Sequence, residues 1–328
     1  MIIKKHVHII ACGGTIAGRA DTAAELIGYT AGAISIEDLL SSVPQVQEAA
    51  RTTGEQFSNI DSSNMTEALW LKLAARTEAL SRCDDVDGIV ITHGTDTLEE
   101  TAYFLNLMVH TDKPVILTGA MRPATAISPD GPLNLLEAVR LAACAEAGRY
   151  GVLVAMNGTI CAARFVEKTD TTHVQAFTSR QHGIVGLIQD GVPVFYQAPQ
   201  RLHTYQSVFS CTPASVLPPV WILYGHVGMA AALVDCAVAA GVQGLVLAGL
   251  GCGKNPDYVG PALERAVKRG VIIVRASRVL GGMVSTATAE EGIICADTLT
   301  PQKAKILLQA ALMQTRDQAA IEAFFSAY

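Results

Sequence analysis

Residues Gly88-Ile89-Val90-Ile91-Thr92-His93-Gly94-Thr95-Asp96-Thr97 change character halfway along. The first half is a short β-branched apolar run, the composition of a strand buried in a parallel sheet. The second half carries hydroxyls, a carboxylate and a glycine, after which Leu98, Ala102, Leu105 and Val109 recur at helical spacing. The stretch reads as strand, polar tip, helix. In open α/β sheets ligands bind outside such strand ends. Thr95 beside Asp96 suits nucleophilic or acid–base chemistry. It also suits helix capping, with Asp96 or Thr97 bonding the first free N–H groups, and on this stretch alone capping is the stronger reading.

Upstream, residues 7–11 form an apolar strand that feeds Gly13-Gly14-Thr15-Ile16-Ala17-Gly18. Glycines there allow a sharp turn or close approach to a ligand. The run fails as a phosphate loop, because Arg19-Ala20 stand where Lys-Ser/Thr should be. It fails as a dinucleotide fingerprint, because Thr15 replaces the second required glycine. Residues 19–32 are polar and rich in alanine and glycine without a helical stripe, so a mobile loop is expected. Tyr29 is its one large aromatic, a packing residue or part of a lid. A short helix is expected over 36–40. The hydroxyl and Asx run 58–64, with Ser62 and Ser63, precedes a helix over 65–80; it reads as an N-cap or as a carboxylate-binding surface.

Downstream, 114–118 is a strand with tip Gly119-Ala120-Met121-Arg122-Pro123, followed by a turn at 128–132, a helix over 133–147 and a strand over 151–156. Lys168 lies in a mixed charged and β-forming stretch, where a lysine is ordinarily solvated surface. Residues 201–219 are polar with three prolines and read as a linker. Beyond it strands are expected at 220–224, 244–248 and 271–274, with helices at 229–240, at 261–269 and from Thr300-Pro301 onward. The expected fold is α/β: a larger N-terminal domain (1–200) with a mostly parallel sheet flanked by helices, the linker, and a smaller C-terminal α/β domain (220–328).

The chain has 328 residues, half of them hydrophobic and 16% charged, which describes a globular chain with a sizeable core. A net charge of −6 without a basic cluster disfavours nucleic acid and anionic membrane as partners. No apolar run reaches a membrane span. The basic-then-apolar N-terminus is too short for a signal peptide and reads as the first strand. Eight scattered cysteines without a C-x-x-C pair argue against a zinc site or disulfide scaffold and fit a reducing compartment.

Several of these stretches together resemble one family. Ala11-Cys12-Gly13-Gly14-Thr15-Ile16-Ala17-Gly18 is similar to the first signature of the bacterial-type L-asparaginases, and Thr92-His93-Gly94-Thr95-Asp96-Thr97-Leu98-Glu99-Glu100-Thr101-Ala102 to the second. Gly119-Ala120-Met121-Arg122-Pro123, Asp130-Gly131-Pro132 and Pro301-Gln302-Lys303-Ala304 also resemble family stretches, in order along nearly the whole chain. The resemblance implies Thr15 as nucleophile, Thr95, Lys168 and Asp96 as a second catalytic set, and Tyr29 as the lid tyrosine. It implies Ser62 on the substrate α-carboxylate and Asp96 on its α-ammonium. It further implies a homotetramer, a dimer of dimers in which a partner's smaller domain completes each site. Ser63 stands where many members have Gln or Glu, Lys254 near a position often Asn or Ser, and Glu290 is matched to the partner's acidic residue. These departures bear on substrate preference. Cys83 matches one cysteine of a disulfide found in exported members, but Thr111 stands at its partner's position, which together with the missing signal peptide implies a cytoplasmic protein.

Hydrolysis of a side-chain amide needs an activated nucleophile, a proton for the departing ammonia and donors for the oxyanion. Thr15 offers a hydroxyl on a glycine turn. Lys168 could serve as base if burial lowered its pKa, or as a relay with Asp96 and Thr95, and a turn N–H near Thr95 could face the oxyanion. Thr95 as nucleophile remains open. No metal or cofactor is expected. The expected reaction is L-asparagine to L-aspartate and ammonia, with weak activity on L-glutamine; the alternative is an amino-acid-binding sensor that keeps the pocket without turnover.

Overall fold

The computed structural model describes residues 4–285 and 291–328. The chain divides into two compact units, Met1–Ala214 and Ser215–Tyr328.

The first unit opens with β1 (His6–Gly13), followed by helices α1 (Ile36–Ser42) and α2 (Gln45–Ala49), strand β2 (Arg51–Ile60), helix α3 (Glu67–Ser81), β3 (Gly88–Thr92) and α4 (Leu98–Met108). Then come β4 (Val115–Thr118), α5 (Gly131–Ala142), β5 (Val152–Met156), β6 (Thr159–Ala162), the short strands β7 (Glu167–Lys168) and β8 (Phe177–Thr178), β9 (Gly186–Gln189) and β10 (Val192–Phe195). One eight-stranded sheet has the order β10-β9-β6-β5-β4-β3-β1-β2. Strands β2, β1, β3, β4 and β5 run parallel, while β6, β9 and β10 add antiparallel pairs.

Alternation along the central strands sends successive side chains to opposite faces. Val7, Ile9 and Ala11 of β1, Val90 of β3 and Ile116 of β4 join one core with Ile36 and Leu39 of α1, Val46 of α2 and Leu135, Ala138 and Val139 of α5. Ile10, Ile89, Ile91 and Leu117 are equally buried on the other face, where α3 and α4 pack. Burial on both faces is why these strands read as unbroken apolar runs.

Four regions differ from the sequence expectation. Strand β2 is an edge strand with Thr52 its only buried residue, so it has no apolar run to announce it. Gly54 in its middle leaves room for Ile36, whose Cγ1 would lie 2.7 Å from an added Cβ. The antiparallel strands after β5 are four residues each or shorter, below the length at which a period is legible. The helix expected over 133–147 ends at Ala142, and a 3-10 turn, Ala145–Tyr150, follows it. The stretch expected as a linker is packed up to Ala214: it contains a 3-10 turn, Thr204–Gln206, and buries His203, Thr204, Ser207 and Phe209.

The second unit holds β11 (Val220–Tyr224), α6 (Ala232–Ala239), β12 (Gly244–Gly249), α7 (Gly260–Lys268), β13 (Ile272–Ser277), β14 (Ile293–Cys295), α8 (Pro301–Leu312) and α9 (Gln318–Ala327). Its four strands form a parallel sheet in the order β11-β12-β13-β14. Val234, Ala237, Leu263 and Ala266 of α6 and α7 cover Leu245, Leu247 and Ile273, and α8 packs on the sheet as well. Among the described residues, no helix is long and apolar enough to cross a membrane.

Candidate active site

The chain runs from β1 outward to β2 and then returns to place β3 on the other side of β1. That reversal leaves a crevice at the carboxyl ends of β1 and β3, the position where doubly wound sheets bind ligands. A cavity of about 410 Å³ opens there. It is lined by the tips of four neighbouring strands: Gly14 and Thr15 after β1, Asp61 and Ser62 after β2, Gly94, Thr95 and Asp96 after β3, and Met121 after β4.

Glycine is what lets these tips meet. Gly14 has φ 81° and ψ −171°, a backbone conformation closed to most side chains. A Cβ on Gly14 would also fall 2.3 Å from the Gly94 Cα. A Cβ on Gly94 would fall 2.6 Å from the Ser62 Oγ. The β1 and β3 tips are thus packed backbone against backbone, with the Ser62 side chain seated against Gly94, which brings Thr15, Ser62 and Thr95 around one cavity.

Thr15 is buried, and its hydroxyl is hydrogen-bonded to the Tyr29 hydroxyl. Burial raises the Tyr29 pKa above its usual value, against the lowering effect of the Thr15 contact. The phenol is therefore neutral through the physiological range and fit to orient Thr15 as hydrogen-bond partner. Tyr29 sits on the loop 19–32, whose ends are fastened: Arg19 and Thr30 exchange backbone hydrogen bonds at 3.0 and 2.9 Å, and Ile34 N–H donates to Ala17 O at 3.0 Å. The loop also leans on residues 124–127, with Ala124 N–H donating to Gly18 O and Ile127 N–H to Ala23 O, both at 3.0 Å. Leu26 and Ile27 between these ties are exposed yet line the cavity.

Across the cavity, Lys168 Nζ donates to Thr95 Oγ1 at 2.9 Å and to Asp96 Oδ1 at 2.6 Å. The lysine side chain is only 18% exposed and lies against Thr95, as the resemblance implied and not as a solvated surface lysine would. Strand β7 delivers it, pinned by Lys168 N–H donating to the buried Glu99 Oε2 at 2.6 Å and by the pairing of Lys168 with the buried Phe177. Helix capping does not account for Thr95 and Asp96, since α4 makes no side-chain cap hydrogen bond at Thr97. Ser62 fastens the tip instead: its Oγ accepts from Asp96 N–H at 3.1 Å and its carbonyl accepts from Thr97 Oγ1 at 2.8 Å.

His93 lies beneath this tip, fully buried, and burial lowers its pKa from 6.5 to about 4. Its Nδ1 lies 2.7 Å from the Gly94 carbonyl, which only accepts, so the Nδ1 carries the proton. Its Nε2 then accepts from Thr101 Oγ1 at 3.1 Å, and Thr101 accepts from Trp70 Nε1 at 2.8 Å. A group held neutral by the fold makes acid destabilising. As pH falls from about 6.5 toward 4 the unfolded chain takes up a proton on His93 that the folded chain refuses. The melting temperature is expected to fall across that window, and the His93→Gln variant to show a shallower fall; parallel profiles would count against this assignment.

The expected site residues separate into groups. Thr15, Tyr29, Ser62, Thr95, Asp96 and Lys168 all line one cavity. Ser63 does not: its N–H and Oγ both donate to Asp61 Oδ1, at 2.9 and 2.8 Å. Lys254 is an exposed residue of the second unit, bridged to Leu250, and Glu290 lies outside the described residues. Sequence reading missed Asp61, Met121, Thr172 and the apolar lip of Leu26 and Ile27. Position just beyond a strand tip was the available signal for Asp61, but the strand was not recognised. Cys83 is free, like the other seven cysteines. Among the described residues, no group of three or more His, Cys, Asp or Glu side chains could hold a metal ion.

The sequence matches two family models, "Asparaginase, N-terminal" over residues 6–201 and "Glutaminase/Asparaginase C-terminal domain" over residues 219–325. It is 45% identical to "L-asparaginase 2" of Bacillus subtilis, over 98% of this chain and 86% of that protein. It is 41% identical to the "Glutaminase-asparaginase" of Acinetobacter glutaminasificans, over 99% of this chain and all of that one (100%). The crystal structure of a "Probable Cytoplasmic L-asparaginase" from Campylobacter jejuni superposes with a TM-score of 0.96 at 43% identity, covering 99% of this chain and 100% of that chain. With both units matched and the likeness extending over almost every residue, the chain belongs to the asparaginase family.

Proposed function

We propose that this protein is an L-asparaginase that hydrolyses the side-chain amide of L-asparagine to L-aspartate and ammonia through an acyl-enzyme on Thr15. One observation carries the reading: a buried threonine hydroxyl held by Tyr29 shares a cavity with a lysine that bridges a second threonine and a carboxylate. Thr15 Oγ attacks the amide carbon, the carbon–nitrogen bond breaks, and the nitrogen leaves as ammonia. The Thr95–Lys168–Asp96 chain of hydrogen bonds moves the proton that the attack releases and the leaving group requires. Water then cleaves the ester and restores Thr15. Ser62 and Asp96 hold the α-carboxylate and α-ammonium.

The same proposal covers the wider setting. Residues 19–32 close over bound substrate, with Tyr29 meeting Thr15 in the closed state. The protein works as a homotetramer in which Glu290 and Lys254 of a partner complete the site, and it resides in the cytoplasm, where free thiols persist. Activity on L-glutamine is expected to be weak. Glutamine is one methylene longer, so meeting Thr15 with its amide moves its α-groups off Ser62 and Asp96, and misplacement by ~1 Å can cost ~10²-fold in rate. The test is kcat/KM for the two amides in one preparation: a ratio near ~10² in favour of asparagine is expected, and equal efficiency would refute this part of the reading.

A further inference from the structure

The cavity carries three ionic side chains, Asp61, Asp96 and Lys168. Lys168 Nζ lies 2.6 Å from Asp96 Oδ1, so these two charges largely cancel. Asp61 is left over, which makes the lining net negative. Its carboxylate is not free to turn away. Oδ1 accepts from the Ser63 N–H at 2.9 Å and the Ser63 Oγ at 2.8 Å, and the residue caps the 3-10 turn Ser62–Asn64. It also adjoins Ser62, the residue assigned above to the substrate's α-carboxylate, and lines the same cavity.

A fixed negative charge beside an anion-holding residue treats substrate and product differently. At neutral pH L-asparagine is a zwitterion of net charge zero. L-aspartate carries one further carboxylate, created by the reaction itself. We infer that Asp61 is a specificity-determining residue that discriminates against the anionic product, holding L-aspartate weakly and speeding its release. The inference rests on the proposed amidase reading, because it takes substrate and product from that reaction. Asp61 is exposed, so its field is partly screened, and an effect of roughly threefold to tenfold in affinity is expected rather than a larger one.

Two measurements test it. The first uses the wild-type enzyme: the inhibition constant of L-aspartate and the KM of L-asparagine, at low and at high ionic strength. Salt should tighten L-aspartate and leave the neutral substrate nearly unmoved. The second uses Asp61→Asn, which keeps the capping oxygen and removes the charge. The inhibition constant of L-aspartate should fall by roughly threefold to tenfold, with a change in KM for asparagine below about twofold, and the salt effect should shrink. Progress curves of the variant should bend earlier as product accumulates. An aspartate-to-asparagine ratio unchanged by both salt and substitution overturns the inference. Should the variant not fold, Asp61→Ser, which also keeps an oxygen acceptor and removes the charge, decides by the same ratio. A protein that releases no ammonia from L-asparagine defeats the amidase reading instead, and calorimetric binding of L-aspartate to it still reports whether Asp61 repels the anion.

Discussion

Thr15→Ala should fold as the wild type does and lose at least ~10³-fold in kcat on L-asparagine. A covalent nucleophile cannot be replaced by its neighbours, so the loss falls on the chemical step and not on binding. The fold should tolerate the change, because among the described residues the hydroxyl is hydrogen-bonded to Tyr29 alone, while the turn itself is held by backbone bonds from Gly14 N–H to Ile60 O at 3.0 Å and from Gly18 N–H to Thr15 O at 2.8 Å. Steady-state ammonia release and a thermal melt measured on one preparation check both halves. A variant that melts normally and turns over near the wild-type rate would remove Thr15 from the mechanism and leave Thr95 as the candidate nucleophile.

Lys168→Met should lower kcat by roughly 10²- to 10³-fold and shift KM by no more than a few-fold. Methionine fills the same space without a donor, so Thr95 and Asp96 lose their bridge while the cavity wall remains. Removing one partner of a buried pair usually destabilises a protein because the other charge is stranded. Here Asp96 is 56% exposed and stays solvated, so the effect should be catalytic rather than structural. A rise in KM with kcat preserved would make Lys168 a binding residue. Equal loss of kcat and of thermal stability would make it a structural one.

What could be read from the sequence follows from what physical signal each element carries. Strands β1, β3, β4 and β12 are buried on both faces and announce themselves as apolar runs, and the tips of β1, β3 and β4 line the cavity directly. Strand β2 sits at the sheet edge with polar residues on both sides, so nothing distinguished it from a loop, and Asp61 at its end was read only as one member of a hydroxyl and Asx run. Lys168 lies among charged neighbours that by themselves read as surface; the family resemblance placed it beside Thr95, and the pairing of β7 with β8 and the bond to Glu99 turn it inward. Ser63 shows the converse. Its place in the run suggested substrate contact, yet the nearest acceptor was Asp61, two residues back, and a short hydroxyl takes a local partner before a distant one. Thr95 and Asp96 could be read as capping residues from the local sequence because the competing partner lies more than seventy residues away on another strand.

The central claim is that this cavity turns over an amide and does not merely bind an amino acid. It is tested most directly by adding L-asparagine alone to the purified protein and quantifying ammonia and L-aspartate in the same samples over time. The account predicts one ammonia for each L-aspartate, produced catalytically, with no added cofactor and no loss on treatment with a metal chelator. Saturable binding of L-asparagine with no ammonia released above the uncatalysed background would contradict it, and would identify a sensor built on the same pocket.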